Sequence, residues 1–474
     1  MTASLGTPPG TTVVDVAVIG AGVVGSAIAR LLSGHELDIA LLDARDDVGD
    51  GTSKANTAIL HTGFDASPGT LESRLVAEGY HLLKDYADRT GIPYEPTGAL
   101  LVAWDDEQLG ALPELQRKAE RNGYHATEIV GPGEVYAQVP ALGPGALGGL
   151  TVPGESIICT WTTTLALATD AVRRGTRLLR GHRVESVTVD GDHTVLHTSA
   201  GDVRARWVVN AAGLGGDVID GHFGHDRFHL HPRRGELFVY DKQARPLVDR
   251  IVLPVPSKLG KGVLISPTIY GNVMLGPTAE DMTDRHDTAT TESGYAFLLD
   301  KGRRIMPSLL REEVTATYAG LRAASDVSDY TIEVDAVQRY AVAGGIRSTG
   351  LTSSMAVAEY LVDLLGKAGL SLHPRDELPE PPHMPNIGEA RPRPYADAER
   401  IARDPAYGTV VCFCERVTRG EIRDALSSII PPHDLDGLRR RTRAMNGRCQ
   451  GFYCGATVTG MLRDAPRRGE GQQR

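Results

Sequence analysis

Long apolar runs are missing from this 474-residue chain, so no segment is expected to span a bilayer. A basic excess is missing too: 60 Asp and Glu outweigh 50 Lys and Arg, for a formal charge of -10. That balance gives no general attraction to nucleic acid or anionic lipid. The opening residues, "MTASLGTPPGTTVVD", lack the basic start and apolar stretch of a secretory signal. Met1 to Thr12 therefore read as a frayed lead-in, and a cytoplasmic location is expected. Cysteine is scarce, with five residues of which four lie beyond position 411. In a reducing cytosol such clustered thiols serve as metal ligands or redox groups more readily than as structural disulfides.

What is present is pattern. The chain exceeds what one hydrophobic core usually supports, so two or three structural units are expected, and there is no internal repeat. Asp15 to Ile19 is a short apolar run, "GAGVVGSAIARLL" turns helical, and "LDIALLDA" supplies a second apolar run reaching Asp43. "ARWVVNAAG" (Ala205 to Gly213) and "QRYAVAGGIRSTGLTSSMAVAEYLVDLL" (Gln338 to Leu365) repeat the theme of strand and glycine-rich turn, the second adding a long amphipathic helix. Between them, Phe228 to Tyr330 alternates apolar and polar residues, which suits an antiparallel sheet with one solvated face. His373 to Tyr395, rich in proline and charge, disfavours regular structure and reads as an extended linker.

Gly20, Gly22 and Gly25 form G-x-G-x-x-G directly after a strand and at the start of a helix whose N-terminus can hold a pyrophosphate. The first glycine permits the tight turn, the second the approach of phosphate, the third close helix packing. Asp43, ending the next strand, is placed to accept hydrogen bonds from a ribose. The motif alone does not separate FAD from NAD.

"GTSKANTAILHTGFD" (Gly51 to Asp65) resembles the FAD-dependent glycerol-3-phosphate dehydrogenase and oxidase group of the D-amino-acid-oxidase-like superfamily. The resemblance continues through "LGKGVLISPTIYGNVMLGPTAED", "YAGLRAASDVSDYTIE" and "GGIRSTGLTSS", in the right order over most of residues 13 to 366. It implies α/β and α+β architecture: a Rossmann-like FAD-binding domain interrupted by an antiparallel-sheet substrate domain. The FAD-binding parts are expected at about 13–95, 150–227 and 335–366, the substrate parts at about 96–149 and 228–334, and the linker at 367–404.

The same resemblance implies the site. His61 takes the position of the base that accepts the hydroxyl proton while hydride leaves the carbon, a task suited to a group with an ordinary pKa near ~6.5. Lys261 and Arg322 match cations facing the phosphorylated substrate. Taken bare, the histidine reads as a packed side chain and the two cations as surface charge. Thr52, Ser53, Lys54, Asn56 and Thr57 are expected to contact FAD, as are Val24 and Val184 and, in the second turn, Ala212 and Gly213. Arg347 and Ser348 lie in the last glycine-rich turn, and Gly350, Leu351 and Thr352 begin a helix whose amides would stabilise charge on the flavin. Cys159, where relatives have an aspartate, is expected to pack as a small hydrophobe. No cysteine occupies the closing turn, so dissociable FAD is expected.

Cys412, Cys414, Cys449 and Cys454 give C-x-C followed by C-x4-C, soft ligands suited to zinc or an iron-sulfur cluster. The tail, through "CFCERVTRGEI" and "DLDGLRRRTRAMNGRCQGFYC", resembles the [2Fe-2S] domain of bacterioferritin-associated ferredoxin, which implies a helical cluster-binding domain over 405–474. Thr418 and Glu421 form a capping box for a helix with Ile422, Ala425, Leu426 and Ile429 on one face. Arg439, Arg440, Arg441 and Arg443 read as a solvated helix face or as partial compensation of a tetrathiolate cluster. The acidic chain, and the lack of an aromatic platform, speak against nucleic acid.

Together these features lead us to expect an FAD-dependent dehydrogenase of glycerol 3-phosphate or a similar polyol phosphate. Its electrons would pass to a [2Fe-2S] cluster and then to a quinone or second electron-transfer subunit. There are two alternative expectations: oxidation of a 2-hydroxy acid or secondary amine, and a non-catalytic electron-transfer or redox-sensing subunit.

Overall fold

A computed structural model describes residues 11–256, 262–389 and 391–466. Its first sheet is built on a parallel core. Strand Thr12–Ile19 lies between Ile39–Leu42 and Val203–Asn210, and Tyr340–Gly344 pairs with the far side of Val203–Asn210. The burial of all four positions in Ile39–Leu42 and all five in Tyr340–Gly344 explains their continuous apolar runs, because helices cover the sheet. Helices Val23–Leu32, Leu71–Thr90, Thr160–Arg173 and Gly350–Lys367 contribute to the apolar cluster on one face. In register, Ile19 stands beside Leu42 and Asn210, and Asn210 beside Val342. The three glycine-rich turns therefore leave from one carboxyl edge, where open α/β sheets bind ligands.

The second sheet runs Glu280–Asp281, Leu230–Tyr240, Val273–Gly276, Leu264–Pro267, Ile251–Pro254, Ala99–Ala103, Gly148–Val152, Glu128–Val130. The long strand Val314–Ser325 pairs with Leu230–Tyr240 along its whole length. Two expectations need correcting. Ile251–Pro254 runs parallel to Ala99–Ala103, so the sheet is mixed. Nor is one face solvated at its centre: Leu264–Pro267 and Val273–Gly276 are buried at every position. Leu298 of helix Glu292–Ile305 closes over Phe238 and Leu275 on one face, and the other looks into the candidate site.

Cys159 does more than pack. It caps helix Thr160–Arg173, its sulfur accepting from the Thr162 amide at 3.4 Å and lying 3.1 Å from the Tyr270 hydroxyl. Burial pushes its thiol pKa up. The segment after Lys367 is extended but not a free tether. Pro374 bridges to His35, Met384 and Ile387 are buried in the first core, and Ala398–Arg403 forms a short helix. Among the described residues, no helix is long and apolar enough to cross a membrane.

The tail opens with a hairpin, Val410–Cys412 against Val417–Thr418, that carries Cys412 and Cys414. Helices Arg419–Leu426, Leu435–Thr442 and Gly455–Asp464 enclose a small core of Val417, Ile422, Leu438, Ala444 and Val458. Both halves of the Thr418/Glu421 capping box are made. Ile429 instead lies past the helix end and is exposed, while the next residue, Ile430, is buried against the core of the first domain. The arginines are not a solvated face. Arg441 and Arg443 are buried, and Arg440 and Arg441 are drawn onto Asp47 of the first domain, each at 2.7 Å.

Candidate functional site

A cavity of about 1620 Å³ begins at the carboxyl edge of the first sheet and runs to the second. At its origin Gly20 adopts φ +103°, and a Cβ there would meet the Ala211 carbonyl at 2.4 Å. Gly22 and Val24 line the wall, whereas Gly25 lies behind it, pressed so closely on the Gly20 carbonyl that a Cβ would come within 1.8 Å. The fingerprint thus leaves bare backbone where a pyrophosphate would lie. Asp43 also faces the cavity. Its carboxylate accepts from the amides of Ala21 at 2.7 Å and Arg45 at 2.9 Å, and burial raises its pKa despite those donors.

The segment from Gly51 onward forms the next wall, held from three sides. Thr52 donates to the Leu321 carbonyl, Ser53 accepts from the Val23 amide, and Trp161 donates to the Lys54 carbonyl. Lys54 pairs with Asp50 at 2.8 Å, Asn56 bonds to the Ser53 carbonyl, and Thr57 faces the cavity. Val184, Ala212, Gly213, Arg347, Ser348, Gly350 and Leu351 also line it. Thr352 does not. It is fully buried and its hydroxyl accepts from the His61 amide at 3.0 Å.

His61 stands where the two domains meet. Ile59–Leu60 pairs antiparallel with Ser156–Ile158, Leu60 opposite Ser156, which sets His61 across from Glu155. His61 Nδ1 lies 3.0 Å from Glu155 Oε2, and Glu155 Oε1 accepts from the amide and hydroxyl of Thr62 at 2.7 and 2.9 Å. Glu155 is completely buried. Arg322, half-buried on strand Val314–Ser325, lines the same cavity without a carboxylate partner among the described residues. Burial, then the like charge of Arg233, holds its pKa below the usual arginine range. Lys261 falls outside the described residues.

The four tail thiols gather in one place, Cys412 beside Cys454 and Cys414 beside Cys449, with each pair also in electrostatic reach of the other. Among the described residues no group of three or more His, Cys, Asp or Glu is arranged to hold a metal ion. Two dithiol pairs suit a binuclear cluster bound by four cysteines. The loop after Cys449 turns the amides of Tyr453, Gly451 and Phe452 toward its sulfur and lowers its pKa, a setting made for an anionic ligand. Burial, reinforced by Cys412, raises Cys454 to about 12, so this thiol needs a metal to ionise.

Glu155, Glu72 and Asp47 escape a reading of the sequence. Glu72 pairs with Arg347 and accepts from Thr349, and Asp47 receives the tail arginines. No local motif marks them, since their partners lie far along the chain. An acidic residue in the turn "PGES", otherwise without a helix to cap, is the one available hint.

Residues 15–364 match the DAO family model, FAD dependent oxidoreductase, and residues 410–464 match a BFD-like [2Fe-2S] binding domain. The chain is 35% identical to a glycerol 3-phosphate dehydrogenase of Caloramator mitchellensis over 451 residues, 94% of this chain and 93% of the relative. It is 28% identical to one subunit of the anaerobic glycerol-3-phosphate dehydrogenase of Escherichia coli (strain K12), over 94% of this chain and 88% of that one. A solved structure of dithionite-reduced L-alpha-glycerophosphate oxidase from Mycoplasma pneumoniae, with FAD bound, has a TM-score of 0.75 at 26% identity. It covers 80% of this chain and 100% of the oxidase.

Proposed function

Because the chain belongs to the FAD dependent oxidoreductase family and carries a BFD-like [2Fe-2S] binding domain, we propose that it oxidises glycerol 3-phosphate to the ketone and delivers the electrons to an external acceptor. The observation that carries this reading is the cavity itself, in which His61 and Arg322, without a carboxylate partner among the described residues, share one chamber with Gly20 and Gly22. Relatives named for glycerol 3-phosphate, aligned over nearly the whole chain, support it.

When bound, FAD supplies the hydride acceptor and the cluster a carrier of single electrons. The chain's own part is to bind and orient. Arg322, joined by Lys261, holds the phosphate, which would otherwise be left without a cation in a chamber walled by both domains. His61 receives the proton of the secondary hydroxyl. Gly20 and Gly22 accept the pyrophosphate, and Cys412, Cys414, Cys449 and Cys454 hold the cluster. A reduced tail explains why electrons need not go directly to oxygen, and a quinone or second electron-transfer subunit is the acceptor we favour. The five free cysteines fit a reducing, cytoplasmic setting.

Anaerobic addition of glycerol 3-phosphate to the purified chain tests the reading: the flavin absorption should bleach, and an EPR signal from the reduced cluster should follow. Bleaching by a 2-hydroxy acid alone would replace the substrate, and no bleaching with any polyol phosphate would make the chain an electron carrier. Zinc in place of iron in anaerobically prepared protein would remove the relay.

A further inference from the structure

We propose that Glu155 is a positioning residue for His61, fixing the ring so that Nδ1 carries its proton and Nε2 is the nitrogen offered to substrate. This rests on the reading of His61 as the base.

Three donors converge on the Glu155 carboxylate: the Thr62 amide at 2.7 Å, the Thr62 hydroxyl at 2.9 Å and His61 Nδ1 at 3.0 Å. A fully buried carboxylate is costly unless satisfied. The Thr62 donors take Oε1 and turn Oε2 toward the ring. With Oε1 already accepting from both Thr62 donors, the carboxylate is arranged as an acceptor, and on this proposal Nδ1 is the donor to Oε2. Nε2 has no hydrogen-bond partner among the described residues, and the ring lines the cavity. The backbone is fixed as well, by the Thr352 hydroxyl below His61 and by the strand pairing that sets residue 61 opposite 155.

The surroundings leave Glu155 few alternatives. Tyr80 and Tyr124 face its turn, where the Tyr80 hydroxyl donates to the Gly154 carbonyl at 2.8 Å and the Tyr124 hydroxyl accepts from the Gly154 amide at 2.7 Å. No lysine or arginine among the described residues pairs with it. The positive charge it is arranged to meet is the one His61 acquires in turnover. The substrate O–H bond breaks, an N–H bond forms at Nε2, and the carbon's hydride leaves with its electron pair for the bound flavin. A buried carboxylate 3.0 Å from Nδ1 stabilises the imidazolium so formed and prevents the ring from turning.

Glu155→Gln tests this. The amide can still accept from Thr62 while offering an N–H to Nδ1, which forces the proton onto Nε2, the wrong tautomer. We expect kcat to fall by about 10²- to 10⁴-fold, with KM for glycerol 3-phosphate changed less than about threefold. Glu155→Asp should recover part of kcat. In histidine-labelled protein, the ¹⁵N signal of His61, assigned by its loss in His61→Asn, should switch from Nδ1–H to Nε2–H in Glu155→Gln. This NMR arm needs no substrate, so its result stands whether or not glycerol 3-phosphate proves to be the substrate. An unchanged tautomer overturns the proposal, whether kcat is retained or falls together with flavin content and melting temperature.

Discussion

Arg322 and Arg233 face each other across one register of the long strand pair, yet among the described residues only Arg233 has a carboxylate, Asp281 at 2.6 Å, to neutralise it. A guanidinium left half-buried beside another cation is a local cost to the fold, and such costs collect at sites that bind anions. The two effects separate by mutation. Arg322→Met keeps most of the stem volume and removes the charge, so the KM for glycerol 3-phosphate should rise by about 10- to 100-fold, the loss of one charge-assisted hydrogen bond. The melting temperature should hold or rise, because the variant no longer buries an unpaired charge. A thermal melt beside steady-state kinetics checks both, and a lower melting temperature with an unchanged KM would assign Arg322 to the scaffold instead.

Elements differ in how sharply their sequence demands them. The helix after the fingerprint tolerates nothing larger than glycine at its third residue: a Cβ on Gly25 would lie 1.8 Å from the Gly20 carbonyl, backbone that cannot step aside. Gly25→Ala should therefore cost about 1–3 kcal/mol or more and strip FAD from the protein. Gly110, inside the exposed helix Asp106–Arg121, has no atom within 4 Å of its would-be Cβ. Gly110→Ala should stabilise by about 0.5–1 kcal/mol with FAD retained. The same methyl thus carries opposite signs, and chemical denaturation with flavin quantification reads both. This contrast also shows what was legible. The fingerprint, the capping box and the C-x-C pair are local devices, written within a few residues, and could be placed by spacing alone. The Glu155–His61 pair spans 94 positions and the Arg441–Asp47 pair 394, so neither leaves a mark in a short window. The alternation from Phe228 to Tyr330 misled for a related reason. A strand's period reports side-chain polarity, while the helix that covers the second face, Glu292–Ile305, lies within that same stretch but apart in sequence from the strands it covers, and the alternation does not announce it.

At the scale of the molecule, the tail is fastened to the flavin-binding domain by charge buried at the seam. Asp47 is 2% exposed and is shared by Arg440 and Arg441, while Arg440 also reaches Asp50, the partner of Lys54 in the cavity wall. Nearby, Arg443 pairs with Glu415, next to Cys414, and its guanidinium lies 4.2 Å from the centre of the Tyr270 ring. Tyr270 stacks on Trp161, which donates to the Lys54 carbonyl. Cluster ligands and flavin wall are therefore parts of one packed unit. Asp47→Ala would leave the buried Arg441 guanidinium without its carboxylate, while Arg440 keeps Asp50, at a cost of about 3–5 kcal/mol. Because both domains keep their own cores, the loss should appear as undocking: faster proteolysis between residues 367 and 404, with FAD still bound. Acid should act similarly. Burial alone would raise the Asp47 pKa, but Arg441 and Arg440 outweigh it and hold it below the ordinary carboxylate value. A carboxylate depressed in the docked state contributes stability above its undocked pKa near ~4 and loses it as pH falls through the lower, docked value. Docking in the parent protein should thus be insensitive to pH above about 5 and weaken below about 4. In Asp47→Ala the Asp47 contribution to that acid transition should disappear, and a protease-susceptibility series from pH 6 to pH 3, using an acid-active protease at the low end, would detect the difference.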